Sequence, residues 1–254
     1  MSVTIKSARE IELMREAGKI LAKTHEELAK ALKPGMTTWD IDHLGEEIIR
    51  SYGCIPSFKN YNGYPASICV SVNDEVVHGI PSRKHFIEEG DIVSLDAGVI
   101  YKGYHSDAAR TYGIGEISPE AGRLIEVTKQ SFFEGIKFAK AGNHLNDISS
   151  AIQAYAESFG FGVVRDLVGH GIGSHLHEDP EGPNFAGRRR GLKLRPGMTL
   201  AIEPMINAGT PEVVWLDDDW TVVTEDGALS AHYENTVLIT EGEPELLSLV
   251  SEAH

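Results

Sequence analysis

From Ser7 onward the apolar positions Ile11, Met14, Leu21, Leu28 and Leu32 recur at steps of three, four or seven. That spacing lays one apolar stripe along a helix and turns the charged positions to its other face. Ser7 and Glu10 stand three apart, as a reciprocal N-terminal cap requires, and Lys33, Pro34 and Gly35 stop the helix at its far end. A second helix is predicted over 38–52, with Ile41, Leu44, Ile48 and Ile49 inward and Gly53 just past its end. Three β-rich runs follow, at 67–72, 91–100 and 108–115. Ser118 and Pro119 then open a helix that runs towards Lys140, and a fourth helix spans about 146–159. The last third reads as strands, at 163–169, 198–206 and 220–240, with a hairpin predicted at Asp226 and Gly227 inside the last run.

Helices, strands, helices and strands in that order suggest an internal repeat, and a single fixed offset tests it. A shift of 107 residues pairs Gly35 with Gly142, Lys33 with Lys140, Asp40 with Asp147, Ile41 with Ile148, Ser51 with Ser158 and Gly53 with Gly160. The same shift lays Gly90 on Gly197 and Asp96 on Glu203. One domain over 1–254 is expected, built of two related halves at roughly 7–115 and 118–245. A pseudo-two-fold axis between them would place Asp96 and Glu203 at equivalent strand ends facing one cleft.

Composition narrows the function. With 254 residues, 41% of them apolar, the chain can bury one large core or two joined lobes. A net charge of −15, from 38 acidic and 23 basic residues, repels phosphate backbones and anionic membranes, so neither DNA nor a membrane is an expected partner. The local exception is the stretch 187–195, where Arg188, Arg189 and Arg190 read either as a solvated loop or as a docking patch for an anionic partner. Cys54 and Cys69 are the only cysteines, too few for a disulfide scaffold or a structural zinc site and in keeping with a reducing cytoplasm. No segment has the character of a signal peptide, and no run approaches the roughly 20 apolar residues of a membrane span, so neither export nor insertion is expected.

The candidate chemistry lies in acids that interrupt apolar runs. Asp96 sits within IVSLDAGVI and Glu203 within TLAIEPMI, where an ionised carboxylate is expensive to bury without a cation or hydrogen-bond donors. Asp107 follows Asp96 by 11 residues, a spacing that lets a tight hairpin set the two side by side, and Glu234 enters a β-run in AHYENTVLI. Any one of these acids alone reads equally well as a hydrogen-bonded structural group. Four drawn to one cleft would repel one another and take up protons unless two divalent cations offset them. In GHGIGSHLHEDP, from Gly169 to Pro180, the glycines let the backbone turn and approach closely enough for the His170 ring to be a fifth ligand. Such a set can hold two metals about 3.5–4 Å apart with positions left for water and substrate. His177 is better suited to donate a hydrogen bond to a substrate oxygen, and His175 to face solvent. His78, ending a β-run before a turn, faces either the same cleft or the backbone. Competing motifs are incomplete: GHGIGS lacks the third glycine of a dinucleotide fingerprint, HEELA lacks a second zinc histidine, and no G-x-S-x-G is present.

On NGYPASICVSVNDEVVHGIP, SLDAGVIYKGYHSDAART, GHGIGSHLHEDP, IEPM and HYENT, the chain resembles the type I methionine aminopeptidase family along essentially its whole length. The resemblance implies an α+β, pita-bread fold: two pseudo-symmetric halves with a curved, mainly antiparallel sheet covered by helices, enclosing a dinuclear metal site. It implies ligation of two divalent ions, chosen among manganese, iron(II), cobalt and zinc, by Asp96, Asp107, His170, Glu203 and Glu234. It also implies Glu203 as general base, His177 as the donor to the oxyanion and His78 at the scissile amide. The reaction implied is hydrolytic removal of the N-terminal methionine from nascent polypeptides with a small second residue, with the ribosome as a further candidate partner. Tyr61, Tyr64, Cys69 and Trp220 match the family's pocket positions, with Phe58 and Leu176 near them. Asn62 stands where some members have histidine and Leu176 where some have phenylalanine, which alters the shape of the pocket. The 33 residues between His170 and Glu203 leave no space for the helical insertion of the type II enzymes, and no N-terminal zinc-binding extension is seen. Two other readings compete. One is a proline-specific aminopeptidase or prolidase of the same fold, whose extra N-terminal domain the chain has no length for; the other is a non-enzymatic binding protein, in which ligand residues would be expected to be lost.

Overall fold

Ser7 caps the first helix as its spacing to Glu10 requires: its hydroxyl accepts from the Glu10 amide, and the Glu10 carboxylate accepts from the Ser7 amide at 2.7 Å. This is a computed structural model, and it describes residues 3–249. Helix α1 spans Ala8–Ala31 and buries Met14, Ala17, Leu21 and Leu28 along one face. Helix α2, Thr38–Ser51, has the same reciprocal cap from Thr37 and Asp40. Helix α3, Pro119–Ile136, is capped by Ser118, and α4 spans Leu145–Ser158. α3 stops short of Lys140 because Phe138 and Ala139 donate to the carbonyls three residues back, Gly135 and Ile136, which tightens the last turn and brings Ala139 into the core.

All strand pairings among the described residues are antiparallel. The longest is the hairpin of Ile92–Tyr101 with Tyr104–Gly113. Lys102 and Gly103 form its two-residue turn with φ of +48° and +86°, the backbone that suits the twist of the flanking strands. The second strand thus begins at Tyr104, four residues before the β-rich run visible in the sequence. Ile68–Val72 pairs along the other edge of Ile92–Tyr101, and α1 and α2 cover this sheet through Leu21, Leu28, Ile41, Ile49, Ile68 and Leu95. A second sheet runs in the order Glu245–Leu246, Asn235–Leu238, Thr199–Ile202, Gly169–Gly171, Glu178–Gly182. α3 and α4 cover it through Phe132, Ile148, Ile152, Leu200 and Val237.

Positions 107 apart share local geometry. Gly35 and Gly142 both have left-handed backbones, with φ of +88° and +94°. The isolated bridge Thr37 to Phe86 recurs as His144 to Lys193, and Asp40 and Asp147 cap equivalent helices.

Two expectations fail locally. Asp226 and Gly227 do turn the chain, but the strands on either side do not pair. Val222–Thr224 already has Val213–Trp215 on one edge and Glu75–Val77 on the other, so Ser230–His232 pairs with Met205–Asn207 instead. In the apolar run 163–169 only the ends are strand, Gly162–Val163 and the start of Gly169–Gly171. Val164 packs with Val76 and Val77, and the run is apolar because it covers a core. Among the described residues no helix is long and apolar enough to cross a membrane.

Candidate metal centre

The hairpin register settles where the two aspartates point. Asp107 lies opposite Gly98 and Asp96 opposite Ala109, so the two acids are diagonal neighbours on one face of the sheet. Cys69 is the cross-strand partner of Asp96 on its other side and shares that face. The backbone of Asp107 is fixed from across the molecule, its amide donating to the Thr236 hydroxyl at 2.8 Å.

His170 is the middle residue of the short strand Gly169–Gly171, wedged between Thr199–Ile202 and Glu178–Gly182. Its flanking glycines answer to crowding rather than to turning. A Cβ on Gly169 would lie 2.4 Å from the Ala201 carbonyl, and one on Gly171 would lie 2.3 Å from that of Asp179. The ring's Nδ1 is 2.9 Å from the Gly171 carbonyl, which only accepts, so Nδ1 carries the proton and Nε2 presents a lone pair. Nε2 lies 3.5 Å from Glu203 Oε1 and 3.9 Å from Asp107 Oδ2.

Glu203 follows Thr199–Ile202 at the break forced by Pro204, with its carbonyl held by Asn184 at 3.0 Å. Glu234 lies between Ser230–His232 and Asn235–Leu238, its amide donating to the Ala109 carbonyl at 2.9 Å. The buried Arg110 guanidinium donates to the Glu234 carbonyl and, at 2.7 Å, to Asn235 Oδ1. The acid is thereby tied to the strand that bears Asp107.

Burial sets the electrostatics. It raises the Asp96 carboxyl to about 7. Asp107 is pushed well above the carboxylate range by burial and then by the charges of Asp96 and Glu203, and Glu203 and Glu234 rise for the same reasons. His170 is held down to about 3 by burial and by its neighbour His177, so its ring is neutral. Asp96 Oδ1 and Glu234 Oε1 are buried without a hydrogen-bond partner. One donor atom from each of Asp107, His170 and Glu234 lies within 4.8 Å of the others. Crowded carboxylates with unpartnered oxygens, beside an imidazole that offers a lone pair, fit a hard or borderline divalent cation and fit little else.

These acids and His170 form the floor of a cavity of about 200 Å³. Its walls include His78, His177, Tyr61, Tyr64, Cys69 and Trp220, together with Phe58, Asn62 and Leu176, so all the residues singled out in the sequence for this chemistry meet there. His78 adopts a left-handed backbone, φ +60°, a strain of roughly 1–3 kcal/mol in a non-glycine residue. Its ring meets the Trp220 edge at 6.2 Å, and burial lowers its pKa to about 4. Tyr64 donates to the Gly79 carbonyl at 2.9 Å and packs edge-on to Trp220 at 5.1 Å. The Tyr61 hydroxyl lies 2.7 Å from His177 Nδ1, and the His177 ring stands edge-on to His170 at 4.2 Å. His175, 78% exposed, stays outside, and the arginines at 188–190 lie on an exposed loop.

Some contributors escape the sequence reading. His232, fully buried two residues before Glu234, places Nε2 3.9 Å from Glu203 Oε2, and neither ring nitrogen has a hydrogen-bond partner. Arg110 lies in the polar-rich strand Tyr104–Gly113, where a charge does not stand out as Asp96 does in its apolar run. Val77, Leu167, Val168 and Met205 complete the cavity wall, and nothing in their spacing distinguishes them from ordinary core.

Known proteins share this arrangement of chain. The sequence pattern of metallopeptidase family M24 matches residues 12–241. The methionine aminopeptidase of Clostridium acetobutylicum is 59% identical over 247 residues, which is 97% of this chain and 99% of that protein. The crystal structure of methionine aminopeptidase from Thermotoga maritima superposes with a TM-score of 0.95 at 47% identity, covering 97% of this chain and 99% of that one. The Xaa-Pro dipeptidase from Bacillus anthracis superposes with a TM-score of 0.79 at 27% identity, covering 96% of this chain and 61% of that one.

Proposed function

As the chain belongs to metallopeptidase family M24, with its pita-bread α+β fold and alongside its methionine aminopeptidases, we propose that it hydrolyses the N-terminal methionine from nascent polypeptides whose second residue is small. The observation that carries this reading is the floor of the cavity: four carboxylates, Asp107 and Glu234 buried and Asp96 and Glu203 partly so, and a neutral imidazole beneath walls of aromatic and sulfur-bearing side chains. Positions 107 apart with matching geometry support a single catalytic domain made of two related halves.

Asp96, Asp107, His170, Glu203 and Glu234 would hold two divalent ions, of manganese, iron(II), cobalt or zinc. When bound, such a pair supplies a polarised carbonyl and a water acidified to near neutrality. Glu203, whose proton affinity burial raises, holds at a carboxylate oxygen the proton that the attacking water gives up. Tyr61 stays a phenol because burial raises its pKa, and in this reading its hydroxyl is the donor to His177 Nδ1. His177 Nε2 therefore keeps the ring's proton and donates to the carbonyl oxygen as it becomes tetrahedral. His78, kept neutral by burial, orients the scissile amide. Tyr64, Cys69 and Trp220 receive the thioether, with the Cys69 thiol protonated through burial and acting as an apolar surface.

Two free, buried cysteines suit a reducing cytoplasm. The exposed arginines at 188, 189 and 190 offer a contact for an anionic partner such as the ribosome. The test is methionine release from Met-Ala-Ser after chelation and after re-addition of each metal in turn, with Xaa-Pro dipeptides as competing substrates. Release that needs metal and favours Met-Ala-Ser is expected. Metal-independent release, or a preference for Xaa-Pro, would overturn the reading in favour of other chemistry or of a proline-specific peptidase, and no hydrolysis at all would favour a binding protein.

A further inference from the structure

The loop that carries His177 has no regular structure between Gly171 and Glu178, yet it closes around a buried ion pair brought from the start of the chain. Glu178 follows His177 directly, and its side chain is 8% exposed; that of Lys6 is 5% exposed and donates to Glu178 Oε2 at 2.6 Å. The Thr4 hydroxyl donates to the same oxygen at 2.6 Å and accepts from Lys6 Nζ. The other carboxylate oxygen, Oε1, accepts from the His175 amide at 3.2 Å, so the loop folds back on its own acid. The arm itself is pinned by the Lys6 amide, which donates to the Gly197 carbonyl at 2.8 Å. The start of the loop is pinned by the Gly173 carbonyl, which accepts from the His105 amide at 2.8 Å. No slack remains between arm and loop: a Cβ on Gly173 would lie 2.5 Å from Lys6 Cε and 2.6 Å from Glu178 Oε1.

A buried ion pair is a weak source of stability, because desolvating both charges costs about as much as their attraction returns. Its geometry is what it enforces, since one acceptor oxygen must meet two donors at once. The residue it brackets is His177, whose ring must meet Tyr61 on one side and stand against His170 on the other. We propose that Lys6 and Thr4 latch Glu178 and so fix the position of His177, making Lys6 and Glu178 positioning residues for the hydrogen-bond donor in the cavity wall. The kinetic part of this inference rests on the donor role assigned to His177 above.

In the full-length, metal-loaded enzyme, Lys6→Met is expected to lower kcat for methionine release roughly 10- to 100-fold and to leave KM within about twofold, the pattern of a misplaced transition-state contact. In a His177→Ala background the same substitution is expected to have no further effect on kcat, since the group it positions is already gone. Hydrogen exchange of the metal-free protein is expected to quicken over 172–178 and to stay unchanged over 92–101. Thr4→Val removes both hydrogen bonds of the Thr4 hydroxyl and no charge, leaving the Lys6–Glu178 pair in place, and it gives the same pattern at smaller amplitude should the Lys6 variant fail to fold. Equal losses in both backgrounds, or unchanged exchange over 172–178, would overturn the latch. A normal rate for His177→Ala alone would remove the donor role instead, and the exchange measurement would still decide the latch.

Discussion

Asp96→Asn keeps the shape of a side chain at the floor of the cavity and removes its charge. Burial lifts the Asp96 carboxyl from an ordinary 3.8 to about 7, which corresponds to about 4 kcal/mol between its two protonation states. In the unfolded chain the group is ionised above pH about 4, whereas in the folded, metal-free chain it keeps its proton until pH about 7. Within that window the folded state binds the extra proton, so this group's contribution to stability falls as pH rises and has lost about 4 kcal/mol by pH about 8. The asparagine variant lacks this group's share of the slope and keeps that of Asp107, Glu203 and Glu234. In chelator its melting temperature should approach that of the native sequence near pH about 4 and exceed it by roughly 10 °C at pH about 8. Adding manganese or cobalt should reverse the order, because cations stabilise only a folded state that retains the ligand. Scanning calorimetry at a series of pH values, with and without chelator, reads both effects. A constant separation of the two melting temperatures across that range would refute the reasoning that burial, uncompensated by a cation, holds Asp96 protonated.

Other consequences are as direct. Glu203→Gln and His170→Ala should abolish methionine release while leaving a soluble, folded chain by circular dichroism; near-native turnover at saturating metal would contradict the roles assigned to them. Gly171→Ala puts a Cβ 2.3 Å from the Asp179 carbonyl, so the strand bearing His170 must shift. A loss of roughly 1–3 kcal/mol in stability is expected, with weaker metal binding by titration calorimetry.

The parts of the fold that can be read along the chain are those decided within a few residues. Ser7 with Glu10, Thr37 with Asp40, and Ser118 before Pro119 each fix a helix start by local hydrogen bonds or a preset φ. Asp96 and Asp107 are readable as a pair because one two-residue turn and one register join them. What stays hidden depends on partners far away in sequence. Asp226 and Gly227 make their turn, yet Glu75–Val77 has already taken the edge that a hairpin would need. His232 is one more aromatic in a β-run until Glu203 is seen 3.9 Å from it. Lys6 and Glu178 stand 172 residues apart, and neither has a local pattern that announces the other.

The cavity floor is gathered from Asp96 and Asp107 in one hairpin, His170 on a strand and Glu203 just past the strand that pairs with it, and finally Glu234, which docks against Ala109 and Arg110. The floor therefore lacks the last of its groups in any stretch of this chain that stops short of residue 234. Such a fragment would keep the Asp96–Asp107 hairpin and still be short of one oxygen ligand, so the two halves of the molecule must both be present before the set of five is whole.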